Sequence, residues 1–212
     1  MEQNYPPTGQ SYPLTFSVDY PDRPLNRLST FFRIFAAIPI VIVLLTVSGG
    51  SGSSYEDSTV YFGAGGLLFL PPLLMLLFRK KYPVWWASWN RELLRFTNRV
   101  HTYVWLMSDQ YPSTDEEQWV HLDFPTPNGE ELSRGLPLVK WLLAIPHYIV
   151  LFFLFIAALF SVIIAWFAIL FTGRYPESLF RFVEGVLRWG LRVVAYAFIL
   201  VTDKYPPFSL EP

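Results

Sequence analysis

The chain has 212 residues, of which 52% are hydrophobic and 16% charged, whereas soluble domains carry about 25% charged residues. This composition favours a membrane protein, because the chain has more apolar side chains than a soluble domain of its size can bury. The net charge of −1 gives no reason to expect nucleic-acid binding. The absence of cysteine excludes disulfides and thiolate catalysis.

The first half of the sequence predicts a strand followed by two membrane spans. Residues 1–11 are expected to be a flexible tail. The segment LTFSVDY that follows alternates apolar and polar residues, which is the pattern of a strand. The apolar stretches 31–48 and 60–78 are each close to the roughly 20 residues that cross a bilayer. The Gly- and Ser-rich stretch between them predicts a connecting loop.

A Tyr-Pro pair and an amphipathic segment complete the first half. Pro83 is expected to turn the chain out of the membrane, and Tyr82 to anchor it at the headgroup level. Arg91, Arg95 and Arg99 recur at every fourth position, on one stripe of a helix whose other side carries Trp and Leu. We predict an interfacial helix. The alternatives are a helix packed as protein core and a third short span.

The second half repeats these landmarks in the same order. AAIP at Pro39 returns as LAIP at Pro146, and the strand segment, the Tyr-Pro pair and the D-x-Y-P pattern recur as well. This order predicts two tandem units, residues 12–113 and 114–212. The two strands are expected to pair into a small sheet, and the two prolines to kink their helices.

The apolar run of the second unit is too long for one upright span. Residues 136–172 would measure about 55 Å as a single helix, against a hydrocarbon layer of about 30 Å. We therefore predict a hairpin that turns near residues 157–161. The fold class is then an all-α membrane protein of four spans, with a small cytoplasmic two-stranded β element.

Basic residues cluster at the open ends of both predicted hairpins. By the positive-inside tendency, both termini are expected to be cytoplasmic. Two units with the same orientation predict a pseudo-two-fold axis along the membrane normal.

Arginines, one histidine and the corner residues are the candidates for function. The arginine stripes suit anionic lipid headgroups, although ordinary snorkelling charges would give the same pattern. His147 is the only side chain between Lys140 and Arg174 that ionises near neutral pH, which makes it a candidate ligand or proton site. A structural hydrogen bond is the alternative role for this histidine. The expected headgroup-binding residues are Arg91, Arg95, Arg99, Arg174, Arg188 and Arg192. The expected structural corners are Tyr82, Pro83, Tyr175, Pro176, Asp109 and Asp203, where the aspartates pair with arginines.

Several segments together resemble a known protein family. They are VDYPDRPLNRLSTFFRIFAAIP, LPLVKWLLAIPHYIVLFFL, FAILFTGRYPESLFRFVEGVLRW and YAFILVTDKYPPFSL. The sequence resembles, across both tandem units, a bacterial integral membrane family catalogued as domain of unknown function 4389. The resemblance implies a membrane location and brings no activity, substrate or catalytic residue. The first unit departs from the pattern, with Ile40 where the second has His147.

The sequence favours a protein that acts by association. No metal-ligand spacing and no catalytic motif is present, so neither a cofactor nor enzymatic activity is expected. The first hypothesis is an accessory or scaffold component of a membrane assembly, in contact with anionic lipid, in a bacterial cytoplasmic membrane. Its partners would be membrane lipids and another membrane protein or a second copy, without nucleic acid. The alternative is a carrier that holds a lipid or apolar small molecule between its two halves.

Overall fold

The computed structural model describes residues 12–48 and 70–212. These residues form a mostly helical fold with one two-stranded sheet, which confirms that part of the predicted fold class. The tail expected over residues 1–11 lies outside them. The strands are β1 (Thr15–Val18) and β2 (Val120–Asp123). The helices are α1 (Arg27–Phe31), α2 (Arg33–Val47), α3 (Leu70–Leu74), α4 (Val84–Val104), α5 (Leu136–Leu143), α6 (Ile145–Thr172) and α7 (Glu177–Val194), with π-helical turns at Met75–Arg79 and Ala195–Ile199.

The predicted strands pair as expected. β1 and β2 are antiparallel, with Phe16 opposite Leu122 and Val18 opposite Val120. These four apolar side chains are buried, so the sheet has one face that packs on helices. Each strand lies on the amphipathic helix of the other half, β1 against α7 and β2 against α4.

The hairpin predicted in the second half is wrong. α6 runs from Ile145 to Thr172 without a turn, and the hydroxyl of Ser161 donates to the carbonyl of Ala157 inside the helix. After Pro146 the helix sequence contains no glycine or proline that would favour a turn. The helix ends at Gly173, whose φ of 77° is the left-handed conformation that glycine adopts readily.

Four spans are not supported among the described residues. Within them only Leu136–Thr172, made of α5 and α6, is long and apolar enough to cross a membrane. α2 is a shorter apolar helix of 15 residues. The predicted Gly- and Ser-rich loop and residues 60–69 of the predicted second span lie outside the described residues. The long apolar helix indicates membrane association, while the multi-pass topology and the cytoplasmic termini are not supported.

The two prolines of the repeated AIP pattern lie in different helical positions. Pro146 is in the first turn of α6, where a missing N–H leaves no helical bond unmade. The helix is interrupted just before this proline, at Ala144 between α5 and α6. Pro39 lies inside α2, which continues through it.

α7 is the central helix of the core, so its predicted interfacial placement is wrong. Eleven of its 18 residues are buried, because α6 packs along one side and β1 along the other. The alternative of a helix packed as protein core is confirmed for α7. α4 is less enclosed, since Trp85 and Trp89 near its N-terminus are exposed. An interfacial contact at that end of α4 stays a prediction.

Candidate functional site

A buried lysine forms the first candidate site, the lysine corner, made of Ser133, Lys140, Tyr196, Thr202 and Asp203. The ammonium of Lys140 is fully buried and lies 2.7 Å from one carboxylate oxygen of Asp203. It also donates to the carbonyl oxygen of Thr202 at 2.7 Å, and the Tyr196 ring centre is 5.1 Å away. The other Asp203 oxygen accepts the N–H of Ser133 at 2.6 Å.

The carboxylate of this corner is held in its charged form. Burial alone would raise the pKa of Asp203, but the hydrogen bonds from Lys140 and Ser133 outweigh it and leave the pKa below its usual value. The corner therefore fastens α5 to the segment that follows α7 through two opposite charges.

The first half contains a matching arginine corner, made of Asn26, Arg33, Tyr103, Ser108 and Asp109. The guanidinium of Arg33 is buried and donates to the carbonyl oxygen of Ser108 at 2.7 Å. It lies over the ring of Tyr103, 4.2 Å from the ring centre. A carboxylate oxygen of Asp109 accepts the N–H of Asn26 at 3.3 Å.

The two corners correspond contact by contact, with one difference in the ion pair. In both, a buried cation binds the carbonyl that precedes the aspartate and faces a tyrosine ring. In both, the aspartate accepts a backbone N–H ahead of the first helix of its unit. However, Asp203 pairs with the buried Lys140, whereas Asp109 pairs with Arg23, whose side chain is 71% exposed. The buried charge therefore depends more on its aspartate in the second half.

The Tyr-Pro pairs start the amphipathic helices, as their sequence suggests. Pro83 directly precedes α4 and Pro176 directly precedes α7. The expected headgroup anchoring by Tyr82 and Tyr175 is wrong, because both side chains are buried in protein. Burial raises the pKa of both hydroxyls, and that of Tyr82 donates to the carbonyl of Ile199 at 2.7 Å.

Three of the arginines predicted to bind headgroups are buried. Arg99, Arg188 and Arg192 each donate to a backbone carbonyl, and Arg188 Nε reaches the carbonyl of Phe16 in β1 at 2.8 Å. Burial lowers the pKa of Arg192, and the nearby charge of Arg188 acts in the same direction. Protein carbonyls therefore accept hydrogen bonds from these three arginines, where lipid phosphates were expected.

The other three arginines lie closer to the surface. Arg91 forms an ion pair with Asp123 at 3.0 Å, and Arg95 Nε donates to the carbonyl of Leu122 in β2 at 2.8 Å. Arg174 is exposed at the end of α6. Headgroup binding by these three residues stays a prediction.

Glu184 has a role that sequence reasoning missed. It is buried, and its Oε1 accepts the N–H of Val18 at 3.2 Å and an N–H of Arg188 at 2.7 Å. The carboxylate thus accepts hydrogen bonds from both β1 and its own helix. One feature of the sequence could have indicated this role: Glu184 is acidic, whereas the equivalent residue of the first amphipathic helix is Arg91.

His147 makes the structural hydrogen bond that was its alternative role. The indole N–H of Trp189 donates to His147 Nδ1 at 3.0 Å, so the proton of the neutral ring is on Nε2. The imidazole stacks on Phe208 with ring centres 4.0 Å apart, and the Tyr205 ring is 4.8 Å away. Nε2 is buried and has no hydrogen-bond partner among the described residues.

The equivalent place in the first half is apolar. Ile40, Phe96 and Val100 form a buried cluster there, and Phe96 occupies the position of Trp189. The histidine and its indole donor are therefore a feature of one half only. Sequence reasoning identified His147 but missed Trp189 and Phe208, because their approach depends on how α6, α7 and the C-terminal segment pack.

One protein family matches part of this chain. Residues 137–209 match a family described as Domain of unknown function (DUF4389). The match lies within the second proposed unit and includes the lysine corner except for Ser133. No curated protein and no solved structure gives a significant match. Within the described residues, no group of three His, Cys, Asp or Glu side chains could hold a metal ion. The second half is thus similar to a family whose function is unknown.

Proposed function

We propose that this protein is a non-catalytic module of a membrane assembly, an accessory subunit or scaffold that acts by association. The observation that carries the proposal is the surface of α6. Ile149, Phe160 and Phe171 are exposed near its start, middle and end, and no charged residue lies between Lys140 and Arg174. Contiguous exposed apolar surface of this extent is typical of a contact with lipid or another protein.

The charged groups support association rather than catalysis. Asp109 and Asp203 fasten the two corners, Asp123 pairs with Arg91, and Asp19 pairs with His121. A general acid or base needs a carboxyl group that is free to exchange a proton with substrate, whereas each of these carboxylates forms an ion pair or hydrogen bond with a neighbouring element of the fold.

The tandem-repeat part of the proposal rests on matched contacts. The arginine and lysine corners use residues at corresponding places in the two units, 12–113 and 114–212. The strand register supports the same view, because β1 and β2 pair symmetrically about Ser17 and His121. Such pairing is what a two-fold relation between two copies of one unit produces.

Two surfaces are available for association in this proposal. The exposed face of α6 suits lipid, and Arg174 at its end suits an anionic headgroup. Trp85 and Trp89 are exposed on α4 and suit a protein partner, because aromatic residues are enriched in interfaces. The partner would be another membrane protein or a second copy, and the location a bacterial cytoplasmic membrane.

Site-specific crosslinking in native membranes tests the association. The tagged chain would carry the photoreactive residue p-benzoylphenylalanine in the variant Trp89→p-benzoylphenylalanine. The matched control is Tyr111→p-benzoylphenylalanine, an exposed aromatic position away from α4's N-terminus. We expect one stoichiometric protein adduct from position 89 and none from 111. A chain that washes off membranes in alkaline carbonate, or that gives no adduct at either position, would disprove the proposal.

A carrier remains the second candidate because of one observation. The buried N–H at Nε2 of His147 has no partner among the described residues and could donate to a polar atom of a bound apolar molecule. Mass spectrometry of the gently extracted protein separates the two functions. A lipid or small molecule retained in stoichiometric amount, and lost in His147→Leu, would favour the carrier over the scaffold.

A further inference from the structure

We infer that the protein attaches to one leaflet side-on, with α6 lying in the plane of the membrane instead of crossing it. This inference rests on the membrane association of the proposed function and specifies its geometry. The occupant of the exposed α6 face would then be the acyl chains of a single leaflet. All the elements that carry charge would lie on the water side of that helix.

Protein packs along one side of α6 over its whole length. Near the start, His147 binds Trp189 of α7. Near the middle, Phe155 packs against Gly190 of α7, where an added Cβ would lie 3.4 Å from the ring. Near the end, the indole N–H of Trp166 donates to the carbonyl of Thr30 in α1 at 3.3 Å. The apolar helix therefore has one covered side and one exposed side.

The sheet forms the next layer beyond α7. Arg188, two residues from Gly190, donates to the carbonyl of Phe16 in β1, and Glu184 accepts the N–H of Val18. The part of α6 around Phe155, the C-terminal half of α7 and the sheet are thus stacked on one another. The sheet exposes charge, since the side chain of Asp123 on β2 is 67% exposed.

An upright α6 would carry this sheet into the hydrocarbon. Its 28 residues measure about 42 Å, and the hydrocarbon layer is about 30 Å thick. Wherever the helix is centred, its middle lies at acyl-chain depth, and with it the exposed carboxylate of Asp123 in β2. Lipid provides no solvation for exposed charges at that depth.

A helix that lies in the membrane plane avoids this conflict. The exposed apolar face of α6 enters the acyl chains, while α7 and the sheet stay on the water side. The charged residues nearest to α6 in the sequence are Lys140 and Arg174, and they lie beyond the two ends of the uncharged stretch. Trp141 is exposed close to one end, where an indole suits the headgroup region.

Depth measurements along α6 test the orientation directly. The chain has no cysteine, so the single variants Ile149→Cys, Phe160→Cys and Phe171→Cys can be spin-labelled without background. Each full-length variant would be reconstituted in vesicles of phosphatidylethanolamine and phosphatidylglycerol. Collision with oxygen against a water-soluble nickel chelate then reports label depth. Thr15→Cys on the exposed side of β1 is the water-side control.

An in-plane helix places the three labels within about 5 Å of one depth below the headgroups. A crossing helix would separate the outer two by about 33 Å along the membrane normal, with position 160 deepest, and that result would overturn the inference while leaving membrane association intact. Labels that contact only water would overturn both the inference and the proposed function. Labels shielded from oxygen and chelate alike would show a protein cover, which also contradicts the inference.

Sidedness gives an independent second measurement. Arg134 and Arg174 are exposed beyond opposite ends of the long apolar segment. An impermeant maleimide added outside sealed vesicles should label Arg134→Cys and Arg174→Cys to the same extent. Labelling from opposite sides would mean that α6 crosses the bilayer, and the inference would be wrong.

Discussion

Removing the charge of Asp203 should destabilise the protein far more than removing the charge of Asp109. Asp203 is the counter-charge of Lys140, an ammonium with no exposed surface. Asp109 pairs instead with Arg23 at the surface. The comparison of Asp203→Asn with Asp109→Asn therefore measures how much each aspartate stabilises the buried cation of its own corner.

The expected magnitudes follow from the contacts of each cation. Asparagine at 203 keeps an oxygen for the N–H of Ser133 but leaves the Lys140 ammonium buried without an opposite charge, which costs about 3–5 kcal/mol. Asparagine at 109 loses an ion pair with the exposed Arg23, which contributes about 0.2–1 kcal/mol, and a longer-range attraction to the buried Arg33. Arg33 keeps its hydrogen bond to the carbonyl of Ser108 in that variant.

Thermal unfolding of the full chain in one detergent, followed by tryptophan fluorescence, measures both effects. For a chain of this size, 1 kcal/mol shifts the midpoint by about 2–4 °C. We expect a decrease of about 6–20 °C for Asp203→Asn and at most about 4 °C for Asp109→Asn. Combining Asp203→Asn with Lys140→Met should recover at least half of the larger decrease, because the buried charge is then gone.

The reasoning fails if the two asparagine variants lower the midpoint equally. It also fails if Asp203→Asn has the same effect with lysine or methionine at position 140. Either result would mean that the ammonium is solvated and that the lysine corner is not a buried ion pair.

Three further predictions concern pH, the sheet and the histidine. The pKa of Asp203 is depressed in the folded state. Its contribution to stability is therefore complete above the unfolded pKa of about 3.9 and is lost as the pH falls through the lower folded pKa. Unfolding midpoints measured at decreasing acid pH should fall less steeply in Asp203→Asn than in the unmodified protein. Glu184→Gln should destabilise the protein by about 1–3 kcal/mol and speed hydrogen exchange in β1. The control Glu177→Gln, at an exposed position, should change stability by less than about 0.5 kcal/mol. Equal effects of the two variants would refute the role of Glu184 as a buried hydrogen-bond acceptor. His147→Leu should leave the indole N–H of Trp189 without an acceptor and lower stability by about 1–3 kcal/mol, which denaturant unfolding measures, and an unchanged midpoint would contradict the hydrogen bond.

The parts of the fold that followed from sequence are those set by local pattern. Alternation in LTFSVDY and WVHLDF specified both strands, and the sheet forms because each strand has one apolar face. Pro83 and Pro176 precede their helices because proline is poorly accommodated in a helix interior but suits its beginning. These features depend on a few adjacent residues and on steric rules that hold in any environment.

The hairpin predicted in the second half is wrong, and it was predicted from the length of the apolar run and from the loop expected at the equivalent place of the first half. A 37-residue apolar run overshoots an upright crossing, and a turn is one way to remove the excess. The structure instead keeps α6 continuous, covers one of its sides with α7 and leaves the other exposed. The missing information was which tertiary layer packs on the apolar helix, and no local signal encodes that.

The charged stripe of α7 shows why amphipathicity did not identify its surroundings. Arg188 and Arg192 lie on one side of the helix, as the four-residue spacing requires, and a phosphate headgroup, water or a backbone carbonyl could each accept their hydrogen bonds. In the fold the acceptors are carbonyls of Phe16 and Ser209. Carbonyl oxygens of the sheet and of the C-terminal segment therefore accept the hydrogen bonds that lipid headgroups would accept from an interfacial helix. In the proposed arrangement α6 contacts the membrane instead of α7, because the exposed side of α6 has no charge to satisfy.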